Sequence, residues 1–509
     1  MKLTGLLPFI EEVPAFQQLL VAAREGTLAA DLDADGTQGL GLVLPARPYL
    51  VAALYQQLNL PIVLLTTRSE RVSQWAEQLR IWTGSEQVYP FPEPDALPYE
   101  RVPWSRETVS DRITALTALM QPSSERAPVI VASARALLHK TLPVREFRLG
   151  LREYQVGQEI DLQRTLNLWV ANGYRPDTVV EEPGTFSRRG GLLDVFPPNL
   201  LQPVRIELFG DEISSLRVFD PTTQRTSHQV NRFVLAPATE ALPRLAPEAS
   251  ERVAELDLTP CHPPARMEYR EDLAHLEQGS HFRGINFYVP FFYSHPATLL
   301  DYLPPNGLCL VDDWEAVMAT AMDLDFQART LQADLVKAGE LPEGFPAPYL
   351  LWKEIREALR SRSSCAVLGV QRQQGQRGLF SEAFAHGERY GGQLKRVMDG
   401  FQEMRAMGER IIVVSRQARR ISELLEEQEM MAVPMEELVE PPPAGSLTLV
   451  QGTLAEGWIL RQAEGSAPLV HLLTDAEVFG WARPAPRRSA RRRPVAPEAF
   501  FSDVEPGTY

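Results

Sequence analysis

Short apolar runs bounded by turn residues alternate with stretches of helical period through residues 1–145. Leu40–Pro45, Ile62–Thr67 and Val129–Ala134 carry no charge, which predicts strands buried on both faces. Between Arg68 and Trp82, the residues Val72, Trp75, Ala76, Leu79 and Trp82 return every three or four positions, the pattern of a helix that buries one face. Strands alternating with helices predict an α/β domain. The stretch from Tyr89 to Glu107 is too rich in proline for a regular element and predicts a long ordered loop.

The period changes between about Phe147 and Ala238. Arg205–Asp220 alternates apolar and polar residues around Gly210-Asp211, which predicts a hairpin. Residues 146–238 therefore read as a small α+β, mostly β, module inserted into an α/β domain made of residues 1–145 and 239–345. The α/β pattern returns at Gly307–Val317, a strand that ends in acids and leads into a helix. From about Cys365, strands at Arg410–Ser415, Leu447–Gly452 and Leu469–Thr474 predict a second α/β domain, over residues 346–480. A helix after Ser415 places Ile421, Leu424 and Leu425 on one face. Residues 481–499 then hold six arginines and several prolines, and Trp481–Pro497 contains no acid, so this stretch predicts a basic linker. Residues 500–509 read as the opening of another ordered element.

Composition narrows the classes. Of 509 residues, 44% are hydrophobic and 23% charged, as in ordinary globular chains, and three or four domains are expected at roughly 100–200 residues each. The net charge of −15 argues against a surface broadly built for DNA, since non-specific affinity comes from neutralised phosphates. No signal peptide and no apolar run of about 18 residues is evident. The three cysteines, Cys261, Cys309 and Cys365, are far apart, so a reducing cytoplasm is the expected location and neither a metal nor a disulfide framework is expected. His262, His275 and His281 show no ligand spacing.

A phosphate-binding loop needs glycines, so that backbone N–H groups can wrap the phosphates, and a lysine that reaches them. None of the five lysines follows a glycine. After the first apolar run the chain reads Pro45-Ala46-Arg47-Pro48, and the acidic box after a later strand reads Asp312-Asp313-Trp314-Glu315. This combination predicts a nucleotide site that has lost its function, with the acids left as solvated or helix-capping groups. Gly36, Gly39 and Gly41 lack the order of a dinucleotide fingerprint.

The most specific stretch is Pro183–Pro197 (PGTFSRRGGLLDVFP) followed by Glu207–Thr226 (ELFGDEISSLRVFDPTTQRT). It resembles the module shared by the excision-repair helicase UvrB and the transcription-repair coupling factor (Mfd) family. Phe91–Leu116 and the strand and helix at Val129–Leu138 resemble segments of the same families. The order of a second α/β unit, a linker and the sequence SDVEPGTY is that of the coupling factors, with SDVEPGTY where their RNA-polymerase-binding domain would open.

The resemblance implies a degenerate RecA/helicase-like domain that has lost its ATP site. ATP and Mg²⁺ would serve only a motor half lying beyond this chain, and this chain itself would need no cofactor and catalyse nothing. The implied role is that of a UvrB-mimicking adaptor in transcription-coupled nucleotide excision repair. It would recruit UvrA, with RNA polymerase and DNA engaged by the absent half. Arg189, before Gly190, and Arg175 match UvrA-contact positions, with Phe186, Arg188 and Phe196 beside them. The plain alternatives are an exposed arginine pair at a turn and core phenylalanines. Two other functions remain open: a diverged UvrB-like ATP-dependent helicase, and a nucleic-acid-binding protein acting through Arg487, Arg488, Arg491, Arg492 and Arg493.

Overall fold

The computed structural model describes residues 1–28, 39–121, 126–362, 364–369 and 378–480. Gly36, the arginine cluster Arg487–Arg493, the linker and the segment from 500 onward lie outside the described residues. The chain divides into two compact units. The larger comprises Met1–Ala385, Glu436–Pro442 and Ile459–Val470. The smaller comprises His386–Met435, Pro443–Trp458 and the described part of His471–Tyr509.

The larger unit is built on a five-stranded parallel sheet. Its order is Cys365–Val367, Leu308–Val311, Ile62–Thr66, Val129–Ser133 and Val88–Phe91. Every residue of the three central strands is buried, because helices cover both faces of a parallel sheet. Helix Ser69–Thr83 buries Val72, Trp75, Ala76, Leu79 and Trp82, and Gly84, at φ 60°, ends it in the left-handed conformation. Helix Arg106–Met120 starts at Ser105, whose hydroxyl caps the Thr108 N–H. Among the described residues no single helix is long and apolar enough to cross a membrane.

Three sequence expectations are corrected. Leu40–Pro45 is not a strand: Leu40, Gly41 and Leu42 donate N–H bonds to the backbone of residues 367–369, and the chain then tightens into a 3-10 turn, Leu44–Ala46. The proline-rich loop begins later than expected, because Val88–Phe91 pairs as an edge strand. Cys365–Val367 pairs with Leu308–Val311, so it completes the first sheet and does not open a second one.

The β-rich insertion is present. Its six-stranded sheet runs in the order Thr226–Val230, Glu212–Phe219, Val204–Phe209, Leu192–Phe196, Thr185–Arg189 and Arg175–Pro176. All neighbours are antiparallel except the last pair. The hairpin turns at Gly210-Asp211 as its pattern predicted. Helix Leu162–Ala171 lays Trp169 on the sheet in a cluster with Tyr154, Tyr174 and Phe186. The two ends of the insertion, Arg152–Gln155 and Arg232–Leu235, pair antiparallel. Entry and exit are thereby held side by side, which lets the module interrupt its host without parting the host's strands.

The smaller unit is also α/β. Ile411–Ser415 pairs in parallel with Leu447–Gln451 and with residues 471–474, while Pro434–Met435 flanks Leu447–Gln451. Helices Leu394–Ala406 and Ala418–Glu426 add Val397, Phe401, Ile421 and Leu425 to its core.

Candidate functional site: an arginine-bearing sheet edge

Strand Thr185–Arg189 changes character along its length. Thr185, Phe186 and Ser187 are buried, whereas Arg188 and Arg189 are exposed. Gly190-Gly191 closes the hairpin to Leu192, with Arg189 paired to Leu192. Gly190 has φ 62° and open space around the position a Cβ would take, so its backbone conformation, not crowding, calls for glycine. The Arg189 guanidinium donates to the Thr178 carbonyl at 2.7 Å and remains exposed. This contact draws the side chain across the edge of the sheet. Arg175 stands exposed on the outermost strand.

Phe186 and Phe196 take a different place from the partner-facing one expected of them. Their exposures are 5% and 6%. Phe186 packs edge-on against Trp169, and Phe196 clusters with Val180 and Phe219. Both faces of this strand pair are covered, so alternation alone could not reveal which rings would be inside. The two phenylalanines anchor the strand pair in separate clusters.

The sheet's register is held by a pair that the sequence reading missed. Arg205 grips Asp194 with two hydrogen bonds of 2.7 and 2.8 Å across adjacent strands, and lies 4.7 Å from the centre of the Phe219 ring. Bonding to Asp194 raises the pKa of Arg205. The pair ties strand Leu192–Phe196 to strand Val204–Phe209 with a bidentate clamp.

The Pro45–Pro48 segment and the acidic box meet in the larger unit. Pro45 and Ala46 belong to the 3-10 turn, while Arg47 and Pro48 open helix Arg47–Leu58. The Asp312 carboxylate is 3% exposed and fully engaged. It accepts from Arg47 Nη1 at 2.6 Å, Arg71 Nη2 at 3.0 Å, Trp75 Nε1 at 3.0 Å and Thr66 Oγ1 at 3.1 Å. Burial alone would raise its pKa, but Arg47 and Arg71 outweigh that and hold it below the usual carboxylate range. Asp313 is the N-cap of helix Trp314–Ala338, accepting from the Ala316 N–H at 3.0 Å, and Glu315 lies exposed in the first turn. Asp313 and Glu315 take the capping and solvated places expected of this box, but Asp312 does not: it is buried and held by Arg47 and Arg71.

Residues 153–240 match the family model described as the UvrB interaction domain. The chain is 29% identical to a transcription-repair-coupling factor of Myxococcus xanthus, over 92% of this chain and 41% of that protein. It is 27% identical to the Bacillus subtilis coupling factor over 69% of this chain and 30% of that protein. For the Staphylococcus epidermidis coupling factor the values are 24%, 86% and 38%. The fold and the matched module define the class: a UvrB-interaction domain set in a mixed α/β frame. Within that class the chain is similar to transcription-repair-coupling factors over most of its length. It spans less than half the length of the curated relatives it matches.

Proposed function

We propose that this chain is the recruiting part of a transcription-coupled nucleotide excision repair factor, and that its inserted module binds UvrA as the equivalent module of UvrB would. The observation that carries this reading is the exposed Arg188-Arg189 edge inside the matched UvrB interaction domain. Planar, multidentate arginines are favoured at the centres of protein interfaces. Binding to RNA polymerase and DNA, and ATP-driven translocation with its Mg²⁺, fall in this reading to the remainder of a full-length coupling factor.

The reading also makes the host α/β domain a RecA-like frame without a working nucleotide site. Two features support it. Pro45 and Pro48 offer no N–H to a phosphate, and Arg47 is committed to Asp312. Calorimetry of UvrA against the wild type and Arg189→Ala tests the recruiting role. Loss of one central arginine is expected to weaken binding by roughly 30- to 1000-fold. Equal binding by two folded proteins would refute the assignment.

A further inference from the structure

A cleft of about 650 Å³ opens within the larger unit, between the inserted module and its host. This is well inside the ~300–1,000 Å³ span of ordinary binding sites. Arg175 lines it from the module, and Arg106, His281 and Arg283 line it from the host. The lining contains no aspartate or glutamate, although the chain as a whole carries 66 acids against 51 bases. Cationic side chains have therefore been gathered here against the overall balance.

The local electrostatics sharpen this. Arg106 is the first residue of helix Arg106–Met120, where the partial positive charge of the helix end disfavours a cation. Arg106 reaches Glu182 at the rim, but Arg175 and Arg283 have no carboxylate partner among the described residues. His281 is pushed below its ordinary pKa first by desolvation and then by the nearby Arg175, as expected where positive charge is crowded and unanswered. Trp104 and Phe282 give the cleft apolar walls.

We propose that this cleft accepts a carboxylate-bearing peptide segment of the recruited protein, with Arg106 and Arg283 adding contacts from outside the 153–240 module. The proposal rests on the recruiting function above and extends it from the sheet edge into the host domain. Arginine forks match carboxylates, and the aromatic walls suit side chains between them. A protein segment is favoured over a nucleic-acid strand because much of the lining belongs to the module matched to the UvrB interaction domain.

The test uses the whole chain and two probes, a fluorescein-labelled hexaglutamate peptide and UvrA. Anisotropy at low salt should show the peptide binding to the wild type. Binding should fall at least about tenfold in the Arg106→Ala/Arg283→Ala double variant and be unchanged in Arg189→Ala. The double variant should also bind UvrA about tenfold more weakly, with circular dichroism confirming that it is folded. Equal peptide binding by wild type and double variant overturns the proposal, as does tighter binding of a single-stranded hexanucleotide than of the peptide. If Arg189→Ala loses UvrA while the double variant keeps it, the cleft proposal falls and the recruiting function stands. If the wild type binds no UvrA, the recruiting function falls, and the peptide measurement decides the cleft by the same criterion.

Discussion

Arg112 and Glu240 form a buried, two-pronged ion pair that joins the host domain to the exit of the inserted module. Arg112 is 0% exposed and Glu240 1%. Arg112 Nε and Nη2 donate to the two carboxylate oxygens, and Nη1 donates to the Pro92 carbonyl at 3.0 Å. The guanidinium also lies 4.1 Å from the centre of the Phe91 ring. Thr141 donates its hydroxyl to the Glu240 carboxylate, and Tyr293 donates to the Glu240 carbonyl at 2.7 Å. Glu240 is the last residue of the matched module, so the pair sets how the module's exit meets helix Arg106–Met120.

Breaking one side of this pair should be far worse than removing both. Glu240→Gln leaves the Arg112 cation buried without its counter-charge and should cost about 3–5 kcal/mol. Arg112→Met/Glu240→Leu removes both charges and should recover a large part of that loss. Urea unfolding of the three proteins checks this. A double variant no more stable than Glu240→Gln would show that packing around Arg112, not charge pairing, holds the junction.

Phe186→Ala and Arg188→Ala separate core from surface on one strand. Truncating the buried Phe186 beside Trp169 should cost about 3–5 kcal/mol of stability. Arg188→Ala should stay within about 0.5 kcal/mol of the wild type, as an exposed side chain away from a structural feature does. Thermal unfolding distinguishes them. Any loss of UvrA binding by Phe186→Ala should therefore track its unfolded fraction.

Much of this fold was legible because its signals are local. The Ser69–Thr83 helix shows its buried face as a run of correctly spaced apolar residues, and Gly210-Asp211 marks its hairpin. What escaped depends on distant partners. Pro90 disguised strand Val88–Phe91, yet proline is tolerated there because the strand forms the sheet's edge. The place of Cys365–Val367 is set by pairing with Leu308–Val311, which no local pattern encodes. In the site, Gly190 flagged the turn that displays Arg189. Phe186 and Phe196 were ambiguous because a strand covered on both faces loses its alternation. Arg106 and Arg283 join Arg175 only through the docking of the module on its host.

Asp312 should be a structural anion that leaves no room for nucleotide chemistry. Asp312→Asn keeps the shape but removes the charge facing Arg47 and Arg71, and should destabilise the larger unit by about 3–5 kcal/mol. Neither protein should bind ATP in an equilibrium titration with Mg²⁺. DNA-stimulated hydrolysis that co-purifies with the wild type and disappears in Asp312→Asn would sink this assignment.

His139 should make the larger unit sensitive to mild acid. Its Nδ1 lies 2.9 Å from the Lys140 carbonyl, which can only accept, so Nδ1 carries the proton of the neutral ring. Desolvation, followed by the nearby Arg112, lowers its pKa to about 3. In the unfolded chain the imidazole protonates near its ordinary value of about 6.5. As pH falls from that value toward about 3, the unfolded state takes up a proton that the folded state refuses, so stability is lost. The slope should approach about 1.4 kcal/mol per pH unit, a ceiling because part of the ring remains at the surface. Asp111, raised to about 6 by burial and then by Glu107, titrates in an overlapping window with the opposite sign. It is common to wild type and variant, and so cancels in their difference. Urea unfolding at several pH values between 6.5 and 5 should therefore show His139→Leu losing less stability with acid than the wild type. Parallel pH profiles would mean that the folded protein accepts the His139 proton readily.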